Sequence, residues 1–377
     1  RRGPRYRPRQ GCEGAGRALR RTGDGLAYPL SGIGPVGRKI QDLSISVRAL
    51  SAREAFFGPR EWLRLVCWLR EDKPDIVQTW LYHADLVGGL AARWVGTSAI
   101  LWGVHSSTLD KDSIKRRTII VRNLCAILSK WLPARIICVA ETSRKLHVAL
   151  GYALKKMRLI PNGFDTQSFK PDAKARQEIR AELRIPEEAP LLGLIGRYSA
   201  QKDHRCFIEA AALLSRSRPQ VRFLLAGQGV TWSNADLVEC IVAYGLRERT
   251  HLLGLREDVP RLLAGLDLLT SSSAFGEAFP MVIGEAMASG VPCVVTDVGD
   301  SSLLVGHTGK VVPIKEPAAL AQAWSDLLDL SPAQQKELSC AARKRIVDHF
   351  GLPKIAKEYE LLYLDVMTDF CREKPNP

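Results

Sequence analysis

The sequence predicts an α/β protein of two domains, each a mainly parallel sheet with helices on its faces. From about Ile33 onward, short runs of β-branched or apolar residues alternate with amphipathic stretches, which is the pattern of βαβ units. The alternation is interrupted at residues 161–165 and by the polar segment 170–190, and it starts again at Leu191. The chain has 377 residues, which suits two domains of roughly 100 to 200 residues better than one core.

Each helix and strand is predicted from the spacing of its apolar residues along the chain. In the first half, apolar runs predict strands near residues 76–79, 99–103, 136–139 and 157–160. Helical spacing predicts helices at residues 60–70, 84–94, 113–132 and 142–150. In the second half, strands are predicted near residues 191–196, 221–226, 250–253 and 266–271. Helices are predicted at residues 205–215, 233–244, 259–264, 317–328, 332–350 and 353–371.

These elements divide the chain into four parts. We expect residues 34–165 to form the first domain and residues 166–350 to form the second. Residues 351–377 form a helix that is long enough to cross back to the first domain. Residues 1–33 are an atypical basic segment, with five arginines among the first nine residues.

Positive charge is concentrated in the first half. Residues 1–160 contain 29 Lys and Arg against 12 Asp and Glu, whereas residues 161–377 contain 25 against 28. This asymmetry suggests an acidic partner for the first half, such as a membrane surface, an anionic glycolipid or a nucleic acid. A solvated basic surface is the alternative. We expect no nucleic acid, because no aromatic-basic motif of a known nucleic-acid module is present.

The cysteines indicate the compartment. All nine occur singly, without a CxxC pair or a Cys/His cluster of zinc-ligand spacing, which is typical of a reducing cytosol. Residues 1–33 lack the apolar core of a secretory signal. No uncharged apolar run of about 18 residues predicts a transmembrane helix. We therefore expect a cytoplasmic protein without a metal centre.

The most informative stretch extends from Phe275 to Asp297. It predicts a loop, a helix that begins at Pro280, a turn and a strand. Glu277 would lie just outside the helix, and Glu285 about one and a half turns inside it. Amides near the helix N-terminus would then face an anion while the carboxylates accept hydroxyl groups, as in a site for a polyol and a phosphate. A capping carboxylate and a solvated helix Glu are the alternative.

A second cluster follows the first strand of the second half. The loop from Gly196 to Lys202 places Arg197 and Lys202 at the carboxyl edge of a parallel sheet, where ligands of open α/β sheets bind. Two such cations would neutralise a diphosphate, with arginine bidentate and lysine as a point charge. The alternative is a pair of exposed loop cations.

Four motifs, in this order, resemble those of the retaining nucleotide-sugar glycosyltransferases of family 4 ("glycosyl transferases group 1"), which have the GT-B fold. They are Gly196-Arg197-x4-Lys202, Ala226-Gly227-Gln228-Gly229, the segment from Gly254 to Val259, and Glu277-x7-Glu285 followed by Gly290-Val291-Pro292. The segment 161–165 is similar to that family's interdomain segment, and the resemblance covers roughly residues 34–365. It implies two Rossmann-like domains that face a cleft. It also implies that no metal or other cofactor is needed, because side chains and helix dipoles supply the charge.

The resemblance further implies roles for individual residues. Arg197 and Lys202 would stabilise the nucleoside diphosphate as it leaves. Glu285 would bind the ribose hydroxyls, and Glu277 would lie beside the donor sugar, as a hydroxyl acceptor rather than a general base. The backbone of Leu255 and Arg256 would hold the base. The expected donor-binding residues are Gly196, Arg197, Lys202, Leu255, Arg256, Glu277, Ala278, Phe279, Pro280, Met281 and Glu285.

Two histidines follow predicted strands of the first domain. His105 would face the cleft, where an imidazole can hydrogen-bond a sugar hydroxyl or the leaving phosphate, and it matches the family's cleft histidine. The expected catalytic residues are therefore His105, Glu277, Arg197 and Lys202. His83 is a further candidate for contact with the acceptor or for capping a helix.

Residues 110–132 allow two other interpretations. Asp110-Lys111-Asp112 is formally the D-x-D metal pattern of the other large glycosyltransferase fold. The cations at residues 115–117 argue against a divalent metal there and favour a surface loop. The predicted helix 113–132 combines five basic residues with many apolar ones, which is typical of helices on anionic lipid. Packing of this helix on the sheet is the alternative.

Residues 1–33 depart from the family pattern. They contain neither the apolar first strand nor the Gly-rich loop that approaches donor and acceptor. Either the first βα unit is absent, or the segment is a mistranslated start or a basic tail. In each case we expect the first sheet to lack its first strand and the acceptor side to be incomplete.

Together, the site residues and the resemblance predict a retaining, metal-independent glycosyltransferase. It would move a hexose from a nucleoside-diphosphate sugar to a glycan or lipid-linked acceptor, in surface polysaccharide or glycolipid biosynthesis. Peripheral attachment at the inner face of the membrane is compatible with the basic first half. A catalytically impaired sugar-nucleotide-binding homologue is the alternative, because of the abnormal N-terminus. The donor base and sugar, the acceptor and the oligomeric state stay open.

Overall fold

The computed structural model describes residues 26–27, 35–50, 58–105 and 116–373. Within these ranges the chain forms two main parallel sheets flanked by helices, together with one short parallel ladder. The ladder consists of β1 (Leu26–Ala27) and β2 (Ser46–Val47). The fold is therefore α/β, and the two main sheets come from successive halves of the chain.

The first main sheet has four parallel strands in the order β3-β4-β5-β6. They are β3 (Ile76–Trp80), β4 (Ala99–Val104), β5 (Arg135–Cys138) and β6 (Met157–Leu159). The helices of this half are α1 (Pro35–Asp42), α2 (Pro59–Asp72), α3 (Tyr82–Trp94), α4 (Arg116–Leu128) and α5 (Glu141–Ala149). Every residue of β4 is buried, because a parallel sheet is covered on both faces.

The second main sheet has six parallel strands in the order β12-β11-β10-β7-β8-β9. They are β7 (Leu191–Ile195), β8 (Arg222–Ala226), β9 (Thr250–Leu252), β10 (Leu268–Ser271), β11 (Cys293–Thr296) and β12 (Lys310–Val312). The helices are α6 (Ala173–Glu182), α7 (His204–Ser217), α8 (Ala235–Ala243), α9 (Val259–Gly265), α10 (Met281–Ala288), α11 (Ser301–Val305), α12 (Pro317–Leu328), α13 (Pro332–Phe350) and α14 (Leu352–Glu373). From β7 the chain continues to β8 and β9 on one side of the sheet, and β10, β11 and β12 follow on the other side, so the strand order reverses between β7 and β10. This reversal opens a crevice at the carboxyl edge, where open α/β sheets bind ligands.

Two chain segments run side by side where the sheets are joined. The Phe164 amide donates to the Phe350 carbonyl at 2.9 Å, and the Leu352 amide donates to the Phe164 carbonyl at 2.9 Å. The Phe164 ring lies against α10, where a Cβ on Gly284 would come within 2.1 Å of a ring atom. Only a glycine at this position lets the ring pack so closely.

The last helix lies on the first sheet. Ile355, Leu362 and Val366 of α14 share one buried cluster with Leu101 and Ile137 of that sheet. Polar contacts secure the same helix. The Tyr363 hydroxyl donates to Gln78 Oε1 at 2.5 Å. Arg135 donates to Asp369 at 2.6 Å and to Asp365 at 3.0 Å. The second half of the chain therefore contributes to the core of the first sheet.

The strands predicted from apolar runs are all present, but several elements were not predicted. These are α1, α6, α11, β1, β2 and β12. The prediction that a helix begins at Pro280 is wrong by one residue. Pro280 has a ψ of 110°, which is extended, so it precedes the first helical residue, Met281. None of the described helices is both long and apolar enough to cross a bilayer.

Some expectations fall on residues that the structure does not describe. They concern most of residues 1–33 and the Asp110-Lys111-Asp112 motif. Of the segment 1–33, only strand β1 is described, and it lies apart from the four-stranded sheet.

Candidate active site

The carboxyl edges of the two main sheets face each other. Glu141 and Thr142 begin α5 just after β5, and Asp300 follows β11. The Asp300 carboxylate accepts hydrogen bonds from the Glu141 amide at 2.6 Å and from the Thr142 amide at 3.0 Å. Residues that follow strands of both sheets are therefore in direct contact at this point.

Lys202 and Glu277 form an ion pair at the point where the strand order reverses. Lys202 follows β7 and Glu277 follows β10, and 2.6 Å separate Nζ from Oε1. Only 19% of the Lys202 side chain and 10% of the Glu277 side chain are exposed. The Ser273 hydroxyl donates to the same Oε1 at 2.8 Å. A largely buried carboxylate is thus held in one orientation by two donors, and a cation compensates its charge.

The loop between β7 and α7 is attached to the end of β10. The Ala274 amide donates to the Gln201 carbonyl at 2.8 Å, and the Gln201 side chain donates to the Gly276 carbonyl at 3.0 Å. Gly276 has a φ of +77°, which favours glycine. Arg197 is exposed, and its guanidinium donates to Gln201 Oε1 at 3.1 Å. Its exposure makes it accessible to an anion.

The glycines of the two loop motifs allow close packing. A Cβ on Gly227 would lie 2.1 Å from the Gly196 carbonyl oxygen, and Gly227 has a φ of +148°. A Cβ on Gly196 would lie 3.3 Å from the Lys202 side chain. The loops after β7 and β8 therefore touch through their backbones, and the Lys202 stem passes directly over Gly196.

Glu285 lies half-buried on α10. Burial raises the pKa of its carboxyl group. Among the described residues, none donates a hydrogen bond to this carboxylate. A half-buried carboxylate in this condition is suited to accept hydrogen bonds from the hydroxyl groups of a ligand.

The residues between Glu277 and α10 differ in what they expose. Phe279 is buried, with its ring centroid 5.9 Å from that of Phe164 and 5.6 Å from that of Phe350. Pro280 is buried as well, whereas 37% of Met281 is exposed. The Phe279 side chain thus belongs to the junction between the sheets, and only its backbone is available to a ligand at the start of α10.

Leu255 and Arg256 follow β9. The Arg256 guanidinium donates to both oxygens of Asp258 at 2.7 Å and to Glu182 at 2.9 Å. These hydrogen bonds raise the pKa of Arg256 and lower that of Asp258. The Arg256 side chain is therefore already paired within the second half, while 75% of Leu255 is exposed.

Both histidine candidates lie at the carboxyl edge of the first sheet. His105 directly follows β4 and is half-buried, and burial lowers its pKa, so the ring is neutral at pH 7. His83 is the second residue of α3 and is also half-buried. Just before α3, Leu81 has a φ of +72°, an unusual conformation for leucine. Strained, exposed residues of this kind occur often at functional sites.

Sequence reasoning missed three residues that shape this site. Ser273 holds Glu277, Gln201 joins the two loops, and Asp300 joins the two sheets. The serine run before Phe275 was a signal for the first, since hydroxyl groups at a strand end commonly orient neighbouring side chains.

In the described ranges, no three His, Cys, Asp or Glu side chains are grouped closely enough to hold a metal ion.

Two family models match the chain. The one described as "Glycosyltransferase Family 4" matches residues 31–168, and the one described as "Glycosyl transferases group 1" matches residues 189–330. Together they cover well over half of the sequence. The chain belongs to the family 4 glycosyltransferases.

Relatives of this glycosyltransferase align over most of its length. The UDP-Gal:alpha-D-GlcNAc-diphosphoundecaprenol alpha-1,3-galactosyltransferase of Escherichia coli is 25% identical over 307 residues, which is 80% of this chain and 78% of the relative. The 2-deoxystreptamine glucosyltransferase of Streptomyces kanamyceticus is 27% identical over 297 residues, or 74% of either chain.

A solved structure has the same architecture. The crystal structure of Anabaena HepE in complex with UDP matches this glycosyltransferase with a TM-score of 0.77 and 22% sequence identity. The match covers 93% of this chain and 95% of HepE. The predicted GT-B fold, with two parallel α/β domains, is thereby confirmed.

Proposed function

We propose that this enzyme transfers a hexose from a nucleoside-diphosphate sugar to a hydroxyl group of a glycan or lipid-linked acceptor. Transfer proceeds with retention of the anomeric configuration and without a metal ion. The observation that carries the proposal is the Lys202–Glu277 pair at the strand-order reversal of the second sheet. There a cation and a carboxylate that accepts hydroxyl groups lie side by side, as a phosphate-linked sugar requires.

Positive charge for the diphosphate comes from the chain itself. Lys202 is fixed by Glu277 at 2.6 Å, and Arg197 is exposed on the same loop. The N-terminal amides of α10 add partial positive charge beside them. Groups fixed in advance in this way stabilise a departing diphosphate without reorganising, and this is the support for metal-independent transfer.

The carboxylates and the β9 loop hold the rest of the donor. Glu277 accepts hydroxyl groups of the sugar, because Lys202 offsets its negative charge next to the phosphates. Glu285 accepts the ribose hydroxyls, for which its half-buried carboxylate is suited, since no residue in the described part of the chain donates a hydrogen bond to it. The backbone of Leu255 and Arg256 binds the base, since the Arg256 side chain is engaged with Asp258.

In the proposed reaction, the bond between the anomeric carbon and the phosphate oxygen breaks. The acceptor oxygen forms its bond to the same carbon on the same face, and the acceptor proton passes to the departing phosphate oxygen. Arg197 and Lys202 stabilise the charge that develops on the diphosphate. His105 contributes a neutral imidazole that hydrogen-bonds a sugar hydroxyl or the phosphate from the side of the first sheet.

The comparisons support these substrate classes. The name of the Escherichia coli relative specifies UDP-galactose as donor and a diphosphoundecaprenol-linked acceptor, and the HepE crystals contain UDP. UDP-hexoses are therefore the first donors to test, with a lipid-linked glycan as acceptor. With such an acceptor, we infer that the enzyme acts at the inner face of a membrane, in surface polysaccharide or glycolipid biosynthesis.

An exposed face of the first half suits that location. Along α4 and the turn after it, an apolar stripe is exposed that consists of Ile120, Leu124, Ile127 and Trp131. Neighbouring α3 adds Trp94, which is 69% exposed. The flanking exposed charges of these two helices are basic, namely Arg93, Arg116, Arg117 and Lys130. An apolar stripe bordered by cations is the pattern of a surface that binds anionic lipid.

A donor screen followed by NMR of the product tests the proposal. Calorimetry with UDP, UDP-glucose, UDP-galactose and the corresponding GDP and ADP sugars identifies the donor, and the anomeric coupling constant of the product identifies the stereochemistry. We expect an α-linked product from an α-linked donor, and full activity in the presence of EDTA. A β-linked product or activity that EDTA abolishes would contradict the mechanism. Donor binding without turnover would instead favour the catalytically impaired homologue.

Flotation with liposomes tests the lipid-binding face separately. The wild-type protein is expected to float with vesicles that contain anionic phospholipid, and Ile127→Glu is expected to remain in solution. Val242→Glu is the matched control, because Val242 is 51% exposed but lies on α8 of the second half. Equal flotation of all three proteins, or no flotation of the wild type, would rule this face out.

A further inference from the structure

Asp300 makes polar contacts in both halves of the molecule. It is only 5% exposed, although it lies in the loop between β11 and α11. Its carboxylate accepts from the Glu141 amide at 2.6 Å, the Thr142 amide at 3.0 Å and the Thr142 hydroxyl at 2.5 Å. All three donors belong to the first turn of α5, on the other sheet. Asp300 therefore caps a helix of the first half from the second half.

The sequence around α5 leaves this helix without a cap of its own. Its N-cap residue is Ala140, which offers no side-chain acceptor. The first amides of a helix need acceptors, and the positive end of the helix dipole favours a carboxylate. Asp300 supplies both, so part of the stability of α5 depends on how the two sheets are placed relative to each other.

The same loop is in backbone contact with the segment that carries Glu277. The Asp300 amide donates to the Ala278 carbonyl at 2.9 Å. A Cβ on Gly299 would lie 2.1 Å from the Glu277 carbonyl oxygen, and Gly299 has a φ of +62°. No side chain fits at this position, so the loop lies directly on the backbone of Glu277 and Ala278.

We propose that Asp300 is a positioning residue for sugar transfer. By capping α5 it fixes the carboxyl edge of the first sheet at a set distance from the Glu277 segment. The distance between the acceptor and the bound donor then depends on this carboxylate in addition to the contacts of Phe164 and α14. The structural part of the inference stands on the hydrogen bonds alone. Its catalytic consequence rests on the proposed function, in which the donor binds near Glu277 and the acceptor arrives from the first sheet.

Asp172 provides a matched control for removing a helix cap. It caps α6 by accepting from the Ala175 amide at 2.9 Å, and both partners belong to the second half. Asp300→Ala and Asp172→Ala therefore each remove one helix cap, but only Asp300→Ala removes a contact between the sheets. A loss of stability alone would affect both variants, whereas a loss of positioning would affect only Asp300→Ala.

Four measurements on the full chain separate these effects. In Asp300→Ala we expect amide exchange at Glu141 and Thr142 to accelerate about tenfold or more, and the radius of gyration in solution scattering to increase. We expect the dissociation constant for UDP to stay within about twofold and kcat for the UDP-hexose found in the screen to fall about tenfold. Asp172→Ala is expected to change neither the radius of gyration nor kcat.

Thr142→Val extends the test to the other side of the contact. It removes the hydroxyl that Asp300 accepts and keeps the amide. We expect a smaller decrease in kcat, and no further decrease when it is combined with Asp300→Ala, because both act through one contact. Additive effects, or unchanged exchange and scattering in Asp300→Ala, would overturn the inference. If UDP fails to bind the wild-type protein, the proposed function fails, while the exchange and scattering measurements still decide whether Asp300 joins the sheets.

Discussion

At the carboxyl edge of the second sheet, Lys202 and Glu277 form a largely buried ion pair, whereas the edge of the first sheet presents half-buried histidines near exposed apolar side chains and carries its ion pair, Glu141–Arg144, closer to the surface. On the second edge, Lys202 pairs with Glu277, and Arg256 pairs with Asp258. On the first edge, Trp80 and Leu81 are 50% and 58% exposed, and His105 is half-buried beside them. One edge is a prebuilt charged site, and the other is an open surface.

This difference suggests that the carboxyl edges of the two sheets have different roles in transfer. In the proposed function, the fixed charges of the second edge stabilise a diphosphate, a group that all nucleoside-diphosphate sugars share, so this edge would need little adjustment between donors. Acceptors vary, and an open surface with apolar and imidazole groups can contact a sugar ring without a fixed geometry. Changes on the second edge should therefore alter donor binding and turnover together, whereas changes on the first edge should alter turnover alone.

Lys202→Ala tests the charged edge and has the largest expected effect. We expect kcat to fall by about 100-fold to 1,000-fold, because a fixed cation at the developing charge is lost. The variant also leaves Glu277 buried without its cation, which costs about 3–5 kcal/mol of stability. Lys202→Ala/Glu277→Gln relieves that cost, so it should melt near the wild-type temperature and stay inactive.

The control for this pair is Lys310→Ala. Lys310 lies on β12 of the same sheet and pairs with Asp326 at 3.4 Å near the surface. Wild-type activity is expected there, since exposed ion pairs contribute little. Activity of Lys202→Ala within tenfold of the wild type would show that the pair is structural only.

Glu285→Gln tests donor binding with an intermediate expected effect. A hydrogen bond to a charged group contributes about 1.5–3 kcal/mol, which corresponds to about 10-fold to 100-fold in the dissociation constant for UDP. Calorimetry with UDP measures it, and Glu337→Gln on the exposed face of α13 is the control. Unchanged affinity for UDP would remove Glu285 from the donor site.

His105→Asn tests the open edge. We expect kcat to fall about tenfold while the dissociation constant for UDP stays the same, because the residue lies on the opposite sheet. His349→Asn, an exposed histidine of α13, serves as control. Steady-state kinetics together with calorimetry distinguish the two parameters. A parallel loss of UDP affinity would break the proposed division between the edges.

The sequence predicted the charged edge better than the contacts between the sheets. Arg197, Lys202 and Glu277 lie in loops that follow strands, and Glu285 lies on the helix after the last of these loops, so the rule that ligands bind at the carboxyl edge of a parallel sheet places them at one edge of one sheet. The Lys202–Glu277 pairing itself could not be predicted, because the two residues are 75 positions apart. Their contact depends on β7 and β10 being neighbours, which only the strand order reveals.

Helix α6 shows where periodicity fails. The polar, charge-rich composition of the segment 170–190 favours a junction, whereas the structure forms a helix there in which Ala175 and Ile179 are the buried apolar residues. Two apolar positions give too weak a periodic signal, and the helix is held instead by Arg180, which donates to Asp267 at 2.7 Å. The role of Asp300 could not be predicted from local sequence either, because its hydrogen-bond partners lie about 160 residues away in the chain, on the other sheet.

Asp85→Asn has the smallest expected effect on activity of the substitutions considered. Asp85 lies behind the open edge, fully buried, and its Oδ1 accepts from the Thr79 hydroxyl at 2.6 Å. Burial raises its pKa to about 8, so the folded state keeps the proton that the unfolded state releases near pH 4.

The sign of the pH effect follows from that difference. Because the native state binds more protons at Asp85, the stability that this group contributes is greatest below about pH 4 and is lost as pH rises through the interval that ends near pH 8. Between pH 6.5 and 8 the loss amounts to at most about 1.4 kcal/mol per pH unit. His147, whose pKa burial lowers to about 4, acts in the opposite direction and only below pH 6.5. Urea unfolding across this window should therefore show a slope for the wild type that Asp85→Asn flattens, with UDP affinity unchanged, because the second edge does not depend on this carboxyl group. An equal slope in both proteins would mean that the Asp85 carboxyl group is ionised in the folded state. A charged group would then lie behind the carboxyl edge of the first sheet.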